Sequence, residues 1–313
     1  MAVITGLAVT AAAVVWFAMA AAEPRLAIWM VCPGAAFTAM LLLGSDSVIE
    51  RMQIWVRKRP FRIACVPAAL WTIYLIYAAG MRIVTPFAML AMAVYLALPF
   101  AVFSKWRRAE PLIILWIWLP LEFGIIRKIL VAHTTGPDLH YALAQLIAID
   151  AGIVAFVIWN RTPNSGYRFE YQRTFVVEGL VNFCVFAIIA IPLGFAIHFI
   201  HYSFAFRKLF NAVPVFAGIF LFTALPEEFL FRGLIQNWIE RISSRGVLSL
   251  LVASVIFGAS HLNNGPPIPN YRYFLMATIA GIFYGRAWRS TGSLIASSLT
   301  HALVDTIWST VFR

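Results

Sequence analysis

The stretch "LVNFCVFAIIAIPLGFAIHFIHYSFAF", Leu180 to Phe206, runs without a single Asp, Glu, Lys or Arg. Crossing a bilayer takes about 20 mostly apolar residues in a helix. The run is continuous rather than alternating, so it lacks the period of a barrel strand. With no water to satisfy the backbone, the alternative in lipid is a helix. The same pattern recurs at Met1–Ala22, Leu26–Ser45, Ile63–Met81 and Ile83–Ser104. Interrupted runs follow: Pro111–Ile126 carries Glu122, Leu139–Trp159 carries Asp150, and Leu209–Ile242 carries three charges close together. Gly246–His261, Tyr271–Trp288 and Ser293–Phe312 complete the set. The expected fold is an all-α polytopic transmembrane bundle of about 8–11 spans.

Composition agrees. Of 313 residues 62% are hydrophobic and 12% charged, against about 25% charged in an ordinary soluble domain. The net charge of +11 implies no nucleic-acid partner here, because the cations sit in short connectors, where they set membrane orientation. The richest connector is "ERMQIWVRKRPFR", Glu50–Arg62, followed by "KWRR", Lys105–Arg108, and by Arg161, Arg168 and Arg173. A cytoplasmic N-terminus puts all three on the cytoplasmic side; Arg127-Lys128 and Arg207-Lys208 fall opposite. The first span lacks a basic n-region and is expected to stay uncleaved. Basic loops and alanine-rich spans suit a bacterial cytoplasmic membrane. Cys32, Cys65 and Cys184 are far apart and form no CxxC, so they read as small buried hydrophobes rather than as a disulfide or metal site. Asn160-Arg161-Thr162 matches a glycosylation sequon but falls on the cytoplasmic side.

The chain divides at its most polar connector, Asn160–Gly179. Residues 1–178 hold apolar spans with basic connectors; residues 179–313 hold the clustered Glu, Arg, His and Asp. The core of that cluster is "TALPEEFLFRGL", Thr223–Leu234. Glu228 and Arg232 are one helical turn apart and share a face. Pairing offsets much of the cost of holding both out of water. Glu227 points about 100° away and has no local partner. A desolvated carboxylate of this kind suits a general base. Phe257 and His261 share a second helix face, and His301 and Asp305 a third. Intramembrane ionisable residues are functional candidates by default. Their expected arrangement is one wet cavity into which Glu227, His261, His301 and Asp305 converge. A carboxylate and two imidazoles there suit hydrolysis.

The order EExxxR, FxxxH, HxxxD resembles the CAAX-protease and bacteriocin-processing family of intramembrane glutamic endopeptidases. Here it reads Glu227-Glu228-xxx-Arg232, Phe257-xxx-His261 and His301-xxx-Asp305. The resemblance implies a membrane-embedded endopeptidase that needs no cofactor and acts on a peptide or membrane-protein substrate within the bilayer. Glu227 would activate water with help from His261. His301 and Asp305 would line the oxyanion side. Glu228 and Arg232 would shape the site or hold substrate. Many members carry Asn where Asp305 stands; an ionised Asp cannot donate to an oxyanion.

Three other readings compete. The first is a non-catalytic immunity-type or scaffolding protein of the same fold. The second is zinc held by Glu227, His261 and His301, although HExxH is absent. The third is a proton-coupled transporter using Glu227, Asp150 and Glu122. The remaining histidines (His133, His140, His198 and His201) read as interfacial.

Overall fold

The computed structural model describes residues 10–11, 13–15, 28–129 and 139–312. The expected first span at Met1–Ala22 lies largely outside them, as does His133; residues 10–11 and 13–15 are helical. Every regular element among the described residues is a helix, so the all-α class holds. The chain separates into two compact units, Met1–Pro163 and Asn164–Arg313. This division falls near the start of the polar connector, so residues 164–178 travel with the second unit.

In the first unit, α1 (Ile28–Leu42) turns through 94° into α2 (Asp46–Lys58). A 3-10 turn at Pro60–Ala64 leads into α3 (Cys65–Gly80). Next come α4 (Pro86–Lys105), α5 (Glu110–Glu122), α6 (Ile125–Ile129) and α7 (Leu139–Ile153), the last continuing in π geometry through Val154–Asn160. The start of α4 shows how local sequence sets a boundary. Pro86 supplies the fixed φ of a first turn, and the Thr85 hydroxyl accepts from the Ala88 N–H at 3.1 Å. The central element is α7, packed against α1 and α3 to α6. The unit's last residues are tied down by Glu110, a buried acid that accepts from Asn160 Nδ2 (3.0 Å) and Thr162 Oγ1 (2.9 Å). The sequon asparagine is therefore a buried-acid ligand within the fold.

The second unit holds α8 (Arg173–Ala196), α9 (Phe206–Phe210), α10 (Ala212–Ser243), α11 (Gly246–Ala259), α12 (Tyr271–Thr291) and α13 (Leu294–Val311). The opening apolar stretch stops being helical at Ala196, ten residues before Phe206, because His198 takes a left-handed φ of 54°. Hydropathy marks contact with lipid and does not by itself continue a helix. Gly292, at φ 67°, ends α12, and the Ser293 hydroxyl then accepts from Ile295 N–H to start α13. Small residues let the helices approach closely. A Cβ at Gly281 would stand 3.1 Å from Ser254 of α11, and Thr300 of α13 donates to the Gly179 carbonyl of α8 at 3.1 Å. On α8, Val181, Val185 and Ile188 face outward and are exposed, which suits a lipid-facing surface.

Among the described residues, five helices can cross a membrane by length and composition, or six if the α1–α2 pair is one span. The 8–11 read from sequence also counted shorter or more polar helices, such as Gly246–Ala259 and the arginine-bearing α12. The protein is a polytopic integral membrane protein. All three cysteines are free, but only Cys32 is buried; Cys65 and Cys184 are exposed, contrary to the expectation of three buried thiols. In a membrane protein an apolar segment turns part of its surface to lipid, so apolarity does not imply burial.

Candidate active site

The site begins with the geometry of α10. Pro226 has no N–H to donate, so a regular ladder cannot run through it. The helix is wide-turned at Phe220–Ala224, tightens to α geometry at Leu225–Glu228, and widens again at Phe229–Gln236. π turns of this kind concentrate at functional sites. Glu227 and Glu228 both sit on the tight turn between them.

Glu228 is completely buried and well partnered. Arg232 Nη1 donates to its Oε1 at 3.2 Å, and Arg232 Nε lies 3.1 Å from its Oε2. The Ser297 hydroxyl of α13 donates to Oε2, and His301 Nδ1 lies 2.9 Å from Oε1. This is the one-turn Glu–Arg pair that the spacing predicts, with two further partners from a distant helix. Arg232 is equally buried: Nη2 donates to the Gly281 carbonyl at 2.9 Å, and its guanidinium lies 4.7 Å from the centre of the Phe257 ring. Phe257 itself is buried and packs edge-on to Phe231, Tyr284 and His301.

His301 is only 3% exposed and stacks on Tyr284 at 4.5 Å. Its Nδ1 is held by Glu228. Its Nε2 lies 3.4 Å from Asp305 Oδ2 and 3.9 Å from Glu227 Oε2. Both ring nitrogens thus face carboxylate oxygens, the pattern of an imidazole carrying hydrogen on each. Glu227 and Asp305 are about a third exposed on their side chains. His261 is oriented locally: Nδ1 lies 2.8 Å from the Phe257 carbonyl and 3.1 Å from Ser260 Oγ. A carbonyl only accepts, so Nδ1 carries the hydrogen and Nε2 is left as an acceptor.

Glu227, His261, His301 and Asp305 line one cavity of about 260 Å³. Glu227 and His261 share it without a hydrogen bond or ion pair between them; the nearer imidazole to Glu227 is His301. Sequence reasoning missed several neighbours. Ser297 is one turn before His301 on α13, so its face was readable, but its partner is 69 positions away. Tyr273, whose ring lies 4.8 Å from His261, and Asn264 line the same cavity. The rest of its lining is largely apolar and includes Phe183, Phe186 and Ala190 of α8 with Met276 of α12. No group of three or more His, Cys, Asp or Glu among the described residues is arranged to hold a metal ion. His198 and His201 lie in the loop after α8 and are exposed; the His140 side chain is outside the described atoms.

The carboxylates and imidazoles of this helical membrane protein thus meet in one partly apolar cavity. Residues 209–307 match the Rce1-like family, described as type II CAAX prenyl endopeptidase Rce1-like. This bears out the resemblance carried by the three motifs, and the matched region holds all of them. A curated relative is the uncharacterized protein YpbD of Bacillus subtilis (strain 168), 28% identical over 109 residues, or 34% of this chain and 51% of that protein. The matched segment thus spans about half the length of that relative. No solved structure matches the chain.

Proposed function

We propose that the protein is an intramembrane endopeptidase in which Glu227 activates a water molecule. The observation that carries this reading is the convergence of Glu227, His261, His301 and Asp305, from two helices and one loop margin, on a single cavity. Glu227 Oε2 takes a proton from water, assisted by the free Nε2 of His261, and the hydroxide oxygen bonds to the scissile carbonyl carbon. His301, held at Nδ1 by Glu228, donates Nε2–H to the developing oxyanion. Asp305 accepts from the same nitrogen and orients it, the role open to a carboxylate where relatives carry Asn. Glu227 then passes its proton to the departing amine nitrogen as the C–N bond breaks. No step needs a metal or other cofactor.

The apolar part of the cavity lining supports a substrate class: a peptide or membrane-protein segment with apolar side chains, reaching the site from the bilayer. The matched family's CAAX-type peptides fit that description. Residues 179–313 supply the catalytic part, and the membrane is a bacterial cytoplasmic one. To test this, the unmutated protein, Glu227→Gln and Glu227→Ala are purified in detergent and assayed on peptide substrates. Both variants should lose cleavage by about 10²–10⁴-fold, the usual weight of a general base, with unchanged thermal unfolding. Equal turnover in all three overturns the reading and leaves a non-catalytic immunity or scaffolding role.

A further inference from the structure

The first unit presents a basic and aromatic end whose role the cavity chemistry does not touch. Here α2 leaves α1 at 94°, and it carries Asp46, Glu50, Arg51, Arg57 and Lys58, charges that suit the membrane surface rather than the hydrocarbon core. The inner face of α2 is anchored: Val56 is buried, and Gln53 Nε2 donates to the Val157 carbonyl at 3.0 Å. Arg57, Lys58 and Arg59 are exposed, and among the described residues none pairs with a carboxylate. Trp55 and Phe61 stand exposed beside them, and the Arg62 guanidinium lies 5.4 Å from the Trp55 ring centre.

A second basic corner joins this one. The 3-10 turn at Pro60–Ala64 packs against α4, whose end carries exposed Lys105, Trp106, Arg107 and Arg108. Arg107 Nη1 donates to the Trp159 carbonyl at 3.0 Å, two residues from the Val157 carbonyl that anchors α2. Both corners are thus pinned to the same short segment, and their cations form one surface. Of the nearby acids, Glu110 is buried and engaged by Asn160 and Thr162, and the exposed Asp46 and Glu50 sit in the first half of α2, away from its Arg57–Lys58 end.

We infer that this end of the first unit is a binding platform for the headgroups of anionic phospholipids. Cations interleaved with Trp and Phe fit that partner twice over. The rings enter the headgroup–acyl boundary, and the guanidinium and ammonium groups meet phosphate at that depth. A soluble acidic partner would use the charges but would leave Phe61, 70% exposed, facing water.

The test uses the full-length protein, delipidated in detergent and titrated with short-chain phosphatidylglycerol or phosphatidylcholine, followed by native mass spectrometry and thermophoresis. The unmutated protein should bind phosphatidylglycerol at least tenfold tighter than phosphatidylcholine, with the preference shrinking as salt rises. The triple variant Arg57→Gln, Lys58→Gln, Arg59→Gln should lose most of the preference and keep its thermal unfolding. The control Arg82→Gln, at the opposite end of α3, should keep it. Equal binding of the two lipids, or a preference that survives the triple substitution, overturns the inference.

Discussion

Two deeply buried carboxylates, one in each half of this protein, differ in their partners. Asp150, on the central helix of the first unit, is 1% exposed, and neither oxygen has a hydrogen-bond partner among the described residues. Glu228, in the second unit, is 0% exposed and meets Arg232, Ser297 and His301. Equal burial therefore hides a difference in partners. In the second unit two helices bring donors to one carboxylate, and that carboxylate in turn holds an imidazole that lines the cavity. A buried charge with partners is costly to break, whereas one without has little to lose.

The sharpest way to break the contrast is Glu228→Ala. It strands the buried Arg232 guanidinium, and removing one partner of a buried pair costs about 3–5 kcal/mol. Thermal unfolding in detergent should fall accordingly, and cleavage should fall with it because His301 loses the acceptor that holds Nδ1. Unfolding unchanged from the unmutated protein would show that the pair does not carry the fold.

A smaller effect is expected from Ser297→Ala. The serine contributes one hydrogen bond to a charged acceptor, worth about 1.5–3 kcal/mol. Glu228 keeps Arg232 and His301, so the loss should sit at the lower end of that range. If Glu228 positions His301, the variant should reduce kcat more than it raises KM; an effect on KM alone would place Ser297 on the substrate side instead.

These two residues also mark what could be read before the fold was known. Glu228 with Arg232 follows from one-turn spacing, as do Phe257 with His261 and His301 with Asp305, because helical neighbours are set by the period. The helices themselves were legible because lipid demands long apolar runs. Ser297 meeting Glu228 was not legible, since it depends on how α13 packs against α10. The apolar wall contributed by α8 is hidden for the same reason: its phenylalanines look like any lipid-facing residue. The end of α8 at Ala196 and the two wide turns around Glu227 depend on backbone geometry that hydropathy does not encode.

The smallest expected effect belongs to Asp150→Asn. The carboxamide has nearly the same shape, and the native carboxyl gives up no hydrogen bond among the described residues. Most of the desolvation cost is already present in the unmutated protein. The change in unfolding should stay within about 1 kcal/mol either way, within the range of an ordinary tolerated substitution. Peptide cleavage should be untouched, because Asp150 is not in the unit that holds the cavity. Proteoliposomes supply the harder test. If an imposed pH gradient drives solute uptake that Asp150→Asn abolishes, then Asp150 is not an isolated acid, and the contrast with Glu228 becomes one between two working sites. Unchanged stability without such uptake would leave Glu228, and the helices that partner it, as the place where this chain spends its buried charge on chemistry.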